Sequence, residues 1–199
     1  MKLFYSPNSP YVRKVMACAI ARGIDQRIET VPTNPHDSPA GLLAANPLSK
    51  VPCLIADDGT AVFDSPVICE FLDSVGSAAP LFPPPGPARW QALTRQALAD
   101  GILDAALIRR GLIGEAPDAV RQAVTARQKA AMVRALDVLE GEPPHQTLDI
   151  GTIAVACALG YLDLRFAGDD WRAGRPALAA WFAAIGKQPA LARTTPPGG

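Results

Sequence analysis

One segment, residues 46–73, joins a proline corner, a tight hairpin and a helix start, and few folds accommodate all three in so short a run. Its sequence is NPLSKVPCLIADDGTAVFDSPVICEFLD. The Asp58-Gly59 step lies between two short apolar runs and supplies residues that tolerate positive φ in a hairpin turn. The segment therefore predicts two antiparallel strands, the first beginning at Val51-Pro52. After the second strand, Ser65-Pro66 predicts a helix with serine as N-cap and proline in its first turn.

The residues before this segment predict a strand, a helix and a second strand. The β-type run at residues 2–6 is followed by a helical pattern over residues 9–22, which Gly23 ends. Residues 28–31, IETV, form the next strand. Because strand-helix-strand crossovers are right-handed in nearly all proteins, the first two strands are expected to be parallel. With the hairpin and a helix over residues 65–75, this predicts a mixed four-stranded sheet in a thioredoxin-like arrangement.

A composition change divides the chain. Residues 77–87 are dense in proline and glycine, which indicates a linker between an N-terminal domain of residues 1–76 and a C-terminal domain of residues 88–199. Strand signals stop beyond the linker. The predicted fold class is therefore α+β, with a thioredoxin-like domain (βαβ, then ββα) followed by an all-α helical bundle.

Four helices are predicted in the second domain. Alanine-rich helical spacing covers residues 88–114, and a second long helix covers residues 118–139. Residues 149–166 are apolar nearly all round, which is typical of a helix at the centre of a bundle. A last helix spans residues 176–186, and the tail from residue 193 onward is predicted to be loosely attached.

Composition and charge exclude several classes of partner. The 19 basic residues balance the 19 acidic residues, so nothing predicts a nucleic-acid surface. No apolar run is long enough for a signal peptide or a membrane span. The four cysteines form no C-x-x-C pair, which favours a reducing, cytoplasmic location. Neither His36 nor His145 has metal-ligand spacing with other donors, so we predict no metal site.

Several motifs together resemble the glutathione S-transferase family. The order Asn-Pro-x-x-Lys-Val-Pro, hairpin, acid-Ser and helix resembles its glutathione-binding half, and YSPNSPYVRKVMACAIARGI resembles its first strand and helix. ALADGILDAAL, IAVACALGYLDLRF and WFAAIGKQPALARTTPP resemble the helical half of bacterial members. The resemblance implies a cis Val51-Pro52 bond, glutathione as co-substrate and a homodimer. It also implies a capping box at Asp149, weakened because Thr152 replaces the usual acid.

The resemblance also implies how glutathione is held. Ser65 and its N–H would hold the α-carboxylate of the γ-glutamyl group, and Asp64 its ammonium. Val51 would pair with the cysteinyl part through its backbone, as an added strand does. Lys50 would reach the glycyl carboxylate or else remain a solvated surface lysine. The glutathione-binding residues implied are Lys50, Val51, Pro52, Asp64 and Ser65.

Ser9 is the candidate catalytic residue, because by resemblance it occupies the position of the active serine in zeta-type enzymes and of cysteine in omega-type enzymes. A hydroxyl at a helix N-terminus can stabilise a thiolate, although Ser9 could also be an N-cap alone. Tyr5 is the competing candidate, and Ser6 and Asn8 have smaller claims. Cys53 could form a mixed disulfide with glutathione, but is better interpreted as a buried strand residue.

These residues predict a transferase that joins the glutathione thiolate to a small apolar electrophile. The apolar wall would come from the helix over residues 88–114, with Arg13 and Arg109 as further candidates for this second pocket. Glutathione-dependent disulfide reduction is disfavoured because Ser9 cannot form a disulfide. The alternative from another class is a non-catalytic glutathione-binding or interaction scaffold with the same fold.

Overall fold

A mixed four-stranded sheet forms the N-terminal half of the computed structural model, which describes residues 1–114, 116 and 118–196. Its strands are β1 (Lys2–Tyr5), β2 (Glu29–Pro32), β3 (Cys53–Ile55) and β4 (Ala61–Val62). They lie in the order β2-β1-β3-β4, with β1 and β2 parallel and the other neighbours antiparallel. The predicted mixed sheet and its Asp58-Gly59 hairpin are confirmed, and Gly59 has φ of 86°.

Three helices flank this sheet: α1 (Pro10–Ala21), α2 (Ala40–Ala45) and α3 (Ser65–Val75). Ser9 is the N-cap of α1, and its Oγ accepts a hydrogen bond from the Val12 N–H at 3.3 Å. The prediction that Ser65 caps α3 is wrong, because Asp64 is extended and takes the N-cap position while Ser65 is already helical. Pro66 remains tolerated there, since the first four N–H groups of a helix have no partner within it.

The C-terminal half is helical: α4 (Pro87–Gly111), α5 (Ala119–Gly141), α6 (Ile150–Arg165), α7 (Pro176–Ile185) and α8 (Pro189–Ala192). The four predicted helices are present, whereas the short α8 was not predicted.

The start of the C-terminal tail is better anchored than expected, since the Arg193 guanidinium pairs with Asp25 at 2.7 Å. Residues 197–199 lie outside the described part. The domain boundary within residues 77–87 stays a prediction.

Helix α6 is the centre of the bundle, as predicted, with every residue from 150 to 162 buried. A Cβ on Gly151 would lie 2.7 Å from the Ala92 carbonyl oxygen, so the glycine lets α4 approach closely. The capping box of α6 is complete. The Thr152 N–H donates to Asp149 Oδ1 at 2.7 Å, and the Asp149 N–H donates to Thr152 Oγ1 at 2.9 Å. The threonine hydroxyl thus accepts the bond that an acid would accept.

Two basic side chains of α1 are buried against the helical half. Lys14 is fully buried, and its Nζ donates to both carboxylate oxygens of Asp100 on α4 at 2.7 Å. Arg13 lies over Gly160 of α6, where a Cβ would come within 2.1 Å of Nη1. These contacts fix α1, and with it Ser9, relative to α4 and α6.

Among the helices of the described chain, none is both long and apolar enough to cross a bilayer.

Candidate active site

A cleft of about 520 Å³ separates the sheet half from α4 and α6. We call it the front cleft. Its walls come from the β1–α1 loop, the loops at residues 34–36 and 46–52, the start of α3, and the facing sides of α4 and α6. The cleft brings together all the candidate site residues taken from the sequence: Ser9, Lys50, Val51, Pro52, Asp64 and Ser65.

Ser9 lies where the N-terminus of α1 opens into the front cleft. Its carbonyl oxygen accepts the first helical bond, from the Arg13 N–H at 3.0 Å, while its Oγ accepts from Val12. Within the described residues, the hydroxyl proton of Ser9 has no acceptor. The side chain is therefore both an N-cap and a donor free to bind an anion in the cleft.

The loop before β3 is ordered by a buried asparagine that the sequence reasoning did not select. Asn46 Nδ2 donates to the Lys50 carbonyl oxygen at 3.0 Å, and Asn46 Oδ1 accepts from the Leu48 N–H at 3.0 Å. These bonds fold residues 46–50 into a turn, and Val51 follows this turn in the lining of the cleft. The Val51-Pro52 peptide bond is cis, as predicted. In the described chain no backbone hydrogen bond involves Val51, and the Lys50 side chain is exposed.

The N-terminus of α3 forms the second helix end in the front cleft. The Asp64 side chain is exposed and makes no capping bond, so its carboxylate is available to a ligand. Ser65 is buried, and its backbone N–H belongs to the unbonded first turn of the helix. The dipole of α3 favours an anion at this end, and the carboxylate of Asp64 favours a cation beside it.

The far wall of the front cleft is more polar than predicted. Helix α4 contributes two carboxylates, Asp100 and Asp104, and one apolar residue, Leu107. Tyr11 Oη donates a short hydrogen bond to Asp104, and Tyr161 of α6 lies at the base. The α4 wall is therefore less apolar than its alanine, leucine and isoleucine residues suggested. The i, i+4 spacing of the two aspartates places them on one face of a helix, and this was the available signal.

Burial and charge alter the acidity of this wall. Burial raises the pKa of Tyr11 well above its usual range, and the hydrogen bond to Asp104 adds to the effect. Burial also raises the pKa of Asp100, although the ammonium of Lys14 acts in the opposite direction. Tyr11 is therefore a neutral hydroxyl at any physiological pH.

Of the other candidates, Ser6 and Asn8 line the front cleft, whereas Tyr5, Arg13 and Arg109 lie outside it. The Tyr5 side chain packs against the hydrophobic core and does not line the cleft. Arg109 forms an ion pair with Asp169 at 2.7 Å in a separate small cavity. Arg13 lines another cavity, between α1, α6 and α7, which we call the rear cavity. The expectation that both arginines line the second-substrate pocket is therefore wrong, because their faces of α1 and α4 point into the helical half.

The four cysteines are free and buried: Cys18, Cys53, Cys69 and Cys157. Burial raises the pKa of the Cys53 thiol and, more strongly, the pKa values of the Cys18 and Cys157 thiols. Cys53 is thus a buried strand residue, as predicted.

In the described part of the chain, no group of three or more His, Cys, Asp or Glu side chains could hold a metal ion.

The fold and the cleft define a class of protein: a thioredoxin-like sheet half that presents two helix ends and a cis-proline loop to a helical half. Family models agree with this class. The model of the glutathione S-transferase N-terminal domain matches residues 8–75, and that of the C-terminal domain matches residues 122–184. The chain belongs to the glutathione S-transferase family.

Individual relatives cover nearly the whole chain. The "uncharacterized GST-like protein YibF" of Escherichia coli K12 is 35% identical over 204 residues, 99% of each chain. A glutathione transferase family member from Pseudomonas fluorescens Pf-5, solved with bound glutathione, is 42% identical with a TM-score of 0.89 over 98% of each chain. A glutathione S-transferase from Methylobacillus flagellatus KT, also solved with glutathione, is 35% identical with a TM-score of 0.89 and the same coverage.

The Lys14–Asp100 pair generates a stability prediction. Asp100→Asn leaves a buried ammonium without a counter-ion, so we expect it to lower the free energy of unfolding by about 3–5 kcal/mol. The matched control is Asp104→Asn, on the same face of α4. It should cost about 1 kcal/mol, because Asp104 is exposed and its partner Tyr11 is neutral. Urea unfolding of both variants measures the difference.

The double variant Lys14→Met, Asp100→Leu separates pairing from packing. Since it removes both charges together, it should recover most of the stability lost in Asp100→Asn. If Asp100→Asn costs no more than Asp104→Asn, the Lys14 ammonium finds another partner and the pair does not hold α1 in place.

Proposed function

We propose that the protein is a glutathione transferase in which Ser9 stabilises the glutathione thiolate for attack on a small, largely apolar electrophile. The observation that carries this proposal is the convergence of two helix N-termini and the unbonded backbone of Val51 on one cleft. Glutathione carries a thiol, two carboxylates and an ammonium, and this cleft offers a complementary group to each. The glutathione-bound relatives at 42% and 35% identity support the same ligand here.

The tripeptide would lie across the cleft with its γ-glutamyl end at α3. The Ser65 N–H and the dipole of α3 favour the α-carboxylate, while the exposed carboxylate of Asp64 favours the ammonium. The free backbone of Val51 would pair with the cysteinyl residue, as an added strand does. Lys50 is exposed next to it, so its ammonium can reach the glycyl carboxylate.

The cysteinyl sulfur would then lie at the N-terminus of α1. A free thiol has a pKa of about 8.5, so little of it is ionised at neutral pH. Lowering that pKa by about two units requires roughly 2.7 kcal/mol. A hydrogen bond from the Ser9 hydroxyl to the thiolate supplies about 1.5–3 kcal/mol, and the helix end about 0.3–1 kcal/mol. These two interactions are sufficient, and no general base is needed.

The thiolate would attack an electrophilic carbon held against Leu107 and the tyrosine rings of α1 and α6. A carbon–sulfur bond forms, and the electron pair passes to a leaving group or to the acceptor end of a polarised double bond. The Pseudomonas fluorescens relative has also been solved with S-(propanoic acid)-glutathione, at 41% identity, which supports a thioether product in this position. Removal of reactive electrophiles is the corresponding physiological role.

Calorimetric titration of reduced glutathione tests the binding site. We expect saturable binding that weakens about tenfold in Asp64→Ala, because the variant loses the carboxylate that pairs with the ligand ammonium. Glu142→Ala removes one exposed carboxylate far from the cleft and is the matched control, with unchanged affinity. If wild-type protein binds no glutathione at millimolar concentration, the transferase proposal fails and a non-catalytic interaction scaffold is the better account.

The pH dependence of thiolate formation tests Ser9. In Ser9→Ala, we expect the pKa of bound glutathione, followed by thiolate ultraviolet absorbance, to rise by about one to two units. The rate of reaction with an electrophile at neutral pH should fall in proportion to the ionised fraction of bound glutathione, whereas glutathione affinity should change little. An unchanged thiol pKa would assign thiolate stabilisation to another donor that lines the cleft, such as Asn8 or Ser6.

Ser9→Cys is the companion variant, because a thiol in this position can form a mixed disulfide. Mass spectrometry after incubation with oxidised glutathione should detect the added tripeptide in Ser9→Cys and not in the wild type. Absence of the adduct in Ser9→Cys would argue against the assigned position of the glutathione sulfur.

We also propose a cytoplasmic homodimer. The four free, buried cysteines fit a reducing compartment. Val67 of α3 and Trp90 of α4 are exposed apolar side chains, Trp90 with 67% of its surface accessible, and the ion pair between Glu70 and Arg89 joins these two helices. Light scattering should give twice the chain mass for the wild type and a monomer for Trp90→Asp. A wild-type monomer at all working concentrations would contradict the dimer.

A further inference from the structure

Tyr161 brings a free hydrogen-bond donor to the base of the front cleft. The residue is only 4% exposed and belongs to the buried part of α6, yet it lines the cleft. Within the described residues, the side chain that interacts with its hydroxyl as a hydrogen-bonding partner is the guanidinium of Arg165. A guanidinium only donates, so the Tyr161 oxygen is the acceptor and its own proton is left for a group in the cleft.

Two guanidiniums lie near this hydroxyl. Arg165 follows Tyr161 by four residues on α6, which places both on one face of the helix, and its buried Nε has no hydrogen-bond partner. Arg110 follows Leu107 by three residues on α4. In the part of the chain that the structure describes, neither arginine forms an ion pair with a carboxylate.

These cations affect the acidity of Tyr161. Burial raises the pKa of its hydroxyl, although the guanidiniums of Arg165 and Arg110 act in the opposite direction. The hydroxyl therefore keeps its proton at neutral pH, while the cations beside it favour negative charge on an atom that it binds.

The acidic groups of the same wall are already engaged. Tyr11 donates its hydroxyl proton to Asp104, so it has none to offer a substrate. The buried ammonium of Lys14 pairs with Asp100. The two arginines near Tyr161 thus exceed the one remaining carboxylate of this wall, and the cleft is electropositive at its base.

From this arrangement we infer that Tyr161 is a catalytic residue for conjugate addition. Its hydroxyl donates a hydrogen bond to the carbonyl oxygen of an α,β-unsaturated aldehyde or ketone while the glutathione thiolate attacks the β-carbon. The inference rests on the proposed function and adds to it the class of electrophile and the group that activates it. Arg165 acts through Tyr161 and is a positioning residue.

The reaction balances without a further reagent. The glutathione thiol releases its proton to water when the thiolate forms. The thiolate then forms a carbon–sulfur bond to the β-carbon, and the electron pair of the double bond moves to the carbonyl oxygen to give an enolate. The bond from Tyr161 strengthens as this oxygen gains charge, so it lowers the barrier. Water returns a proton to the α-carbon, which completes the thioether.

Steady-state kinetics with two electrophiles test this inference. The enone trans-4-phenyl-3-buten-2-one has a carbonyl oxygen, whereas benzyl chloride has none. In Tyr161→Phe, we expect kcat for the enone to fall about 10- to 100-fold with little change in KM, because the lost bond acts in the transition state. The rate with benzyl chloride should be unchanged. Tyr5→Phe removes a phenol hydroxyl outside the cleft and is the matched control, with both rates kept.

A double-mutant cycle with Arg165→Gln tests the positioning role. Alone, Arg165→Gln should lower the enone rate by a smaller factor than Tyr161→Phe does. In the Tyr161→Phe background it should have no further effect, because the guanidinium acts through the lost hydroxyl. Additive losses, or an equal loss with benzyl chloride, would contradict this role.

The outcomes separate this inference from the proposed function. If the wild type conjugates benzyl chloride, while Tyr161→Phe keeps its enone rate or loses both rates equally, the inference is overturned and the transferase function stands. If the wild type forms no thioether with either electrophile, the transferase function fails and the inference with it. The pKa of bound glutathione, which reports on Ser9, should be the same in Tyr161→Phe as in the wild type.

Discussion

The burial of two basic side chains of α1 fixes the relative position of the two halves. Lys14 reaches Asp100 of α4, and Arg13 lies over Gly160 of α6. Displacement of Lys14 would leave a fully buried ammonium unpaired, so its contact with Asp100 tolerates little movement, and Arg13 is close-packed against Gly160. Packing of α1 against α4 and α6 therefore has one strongly preferred register. The N-terminus of α1, which carries Ser9, is held by this register and by a hydrogen bond from the Ser9 N–H to the Ser6 carbonyl oxygen in the preceding loop.

The front cleft depends on this arrangement because its two walls belong to different halves. The sheet half supplies two helix ends, whose N–H groups favour anions, and the unbonded backbone of Val51, which is free to pair with a peptide. The helical half supplies Asp104, Leu107 and Tyr161. Tyr11 of α1 joins this wall through its hydrogen bond to Asp104. Under the proposed function, one wall would bind the tripeptide and the other would hold the second substrate. Substitutions on α4 would then change the choice of electrophile without disturbing the groups proposed to face glutathione.

The sequence predicted those features that depend on neighbouring residues. The hairpin at Asp58-Gly59 and the N-cap at Ser9 each follow from a short motif. The cis bond before Pro52 and the six candidate site residues follow from the family resemblance that such motifs carry. The Lys14–Asp100 pair spans 86 residues, so no local pattern reports it. Tyr11 and Asp104 were missed for the same reason.

The two arginines were misplaced because the sequence does not tell which side of a helix faces which neighbour. The strength of the α6 cap was underestimated because a threonine hydroxyl can replace an acid. Arg13 and Arg109 were expected to face the second substrate, but a helical period alone does not tell which side of α1 or α4 meets which neighbour. Thr152 was expected to weaken the cap of α6, yet its hydroxyl accepts the bond from Asp149. A pattern of residue types therefore predicts where a helix forms better than it predicts the direction of one long side chain on that helix.

The buried cysteines determine how the protein responds to oxidised glutathione. Exchange with a disulfide requires an accessible thiolate, and burial raises the pKa values of Cys18, Cys53 and Cys157 while shielding them from solvent. Cys53 follows directly after the proline of the front cleft and is still inaccessible. The native chain is therefore resistant to S-glutathionylation, and a shift in the redox state of the cell's glutathione pool changes the supply of its co-substrate without modifying the protein.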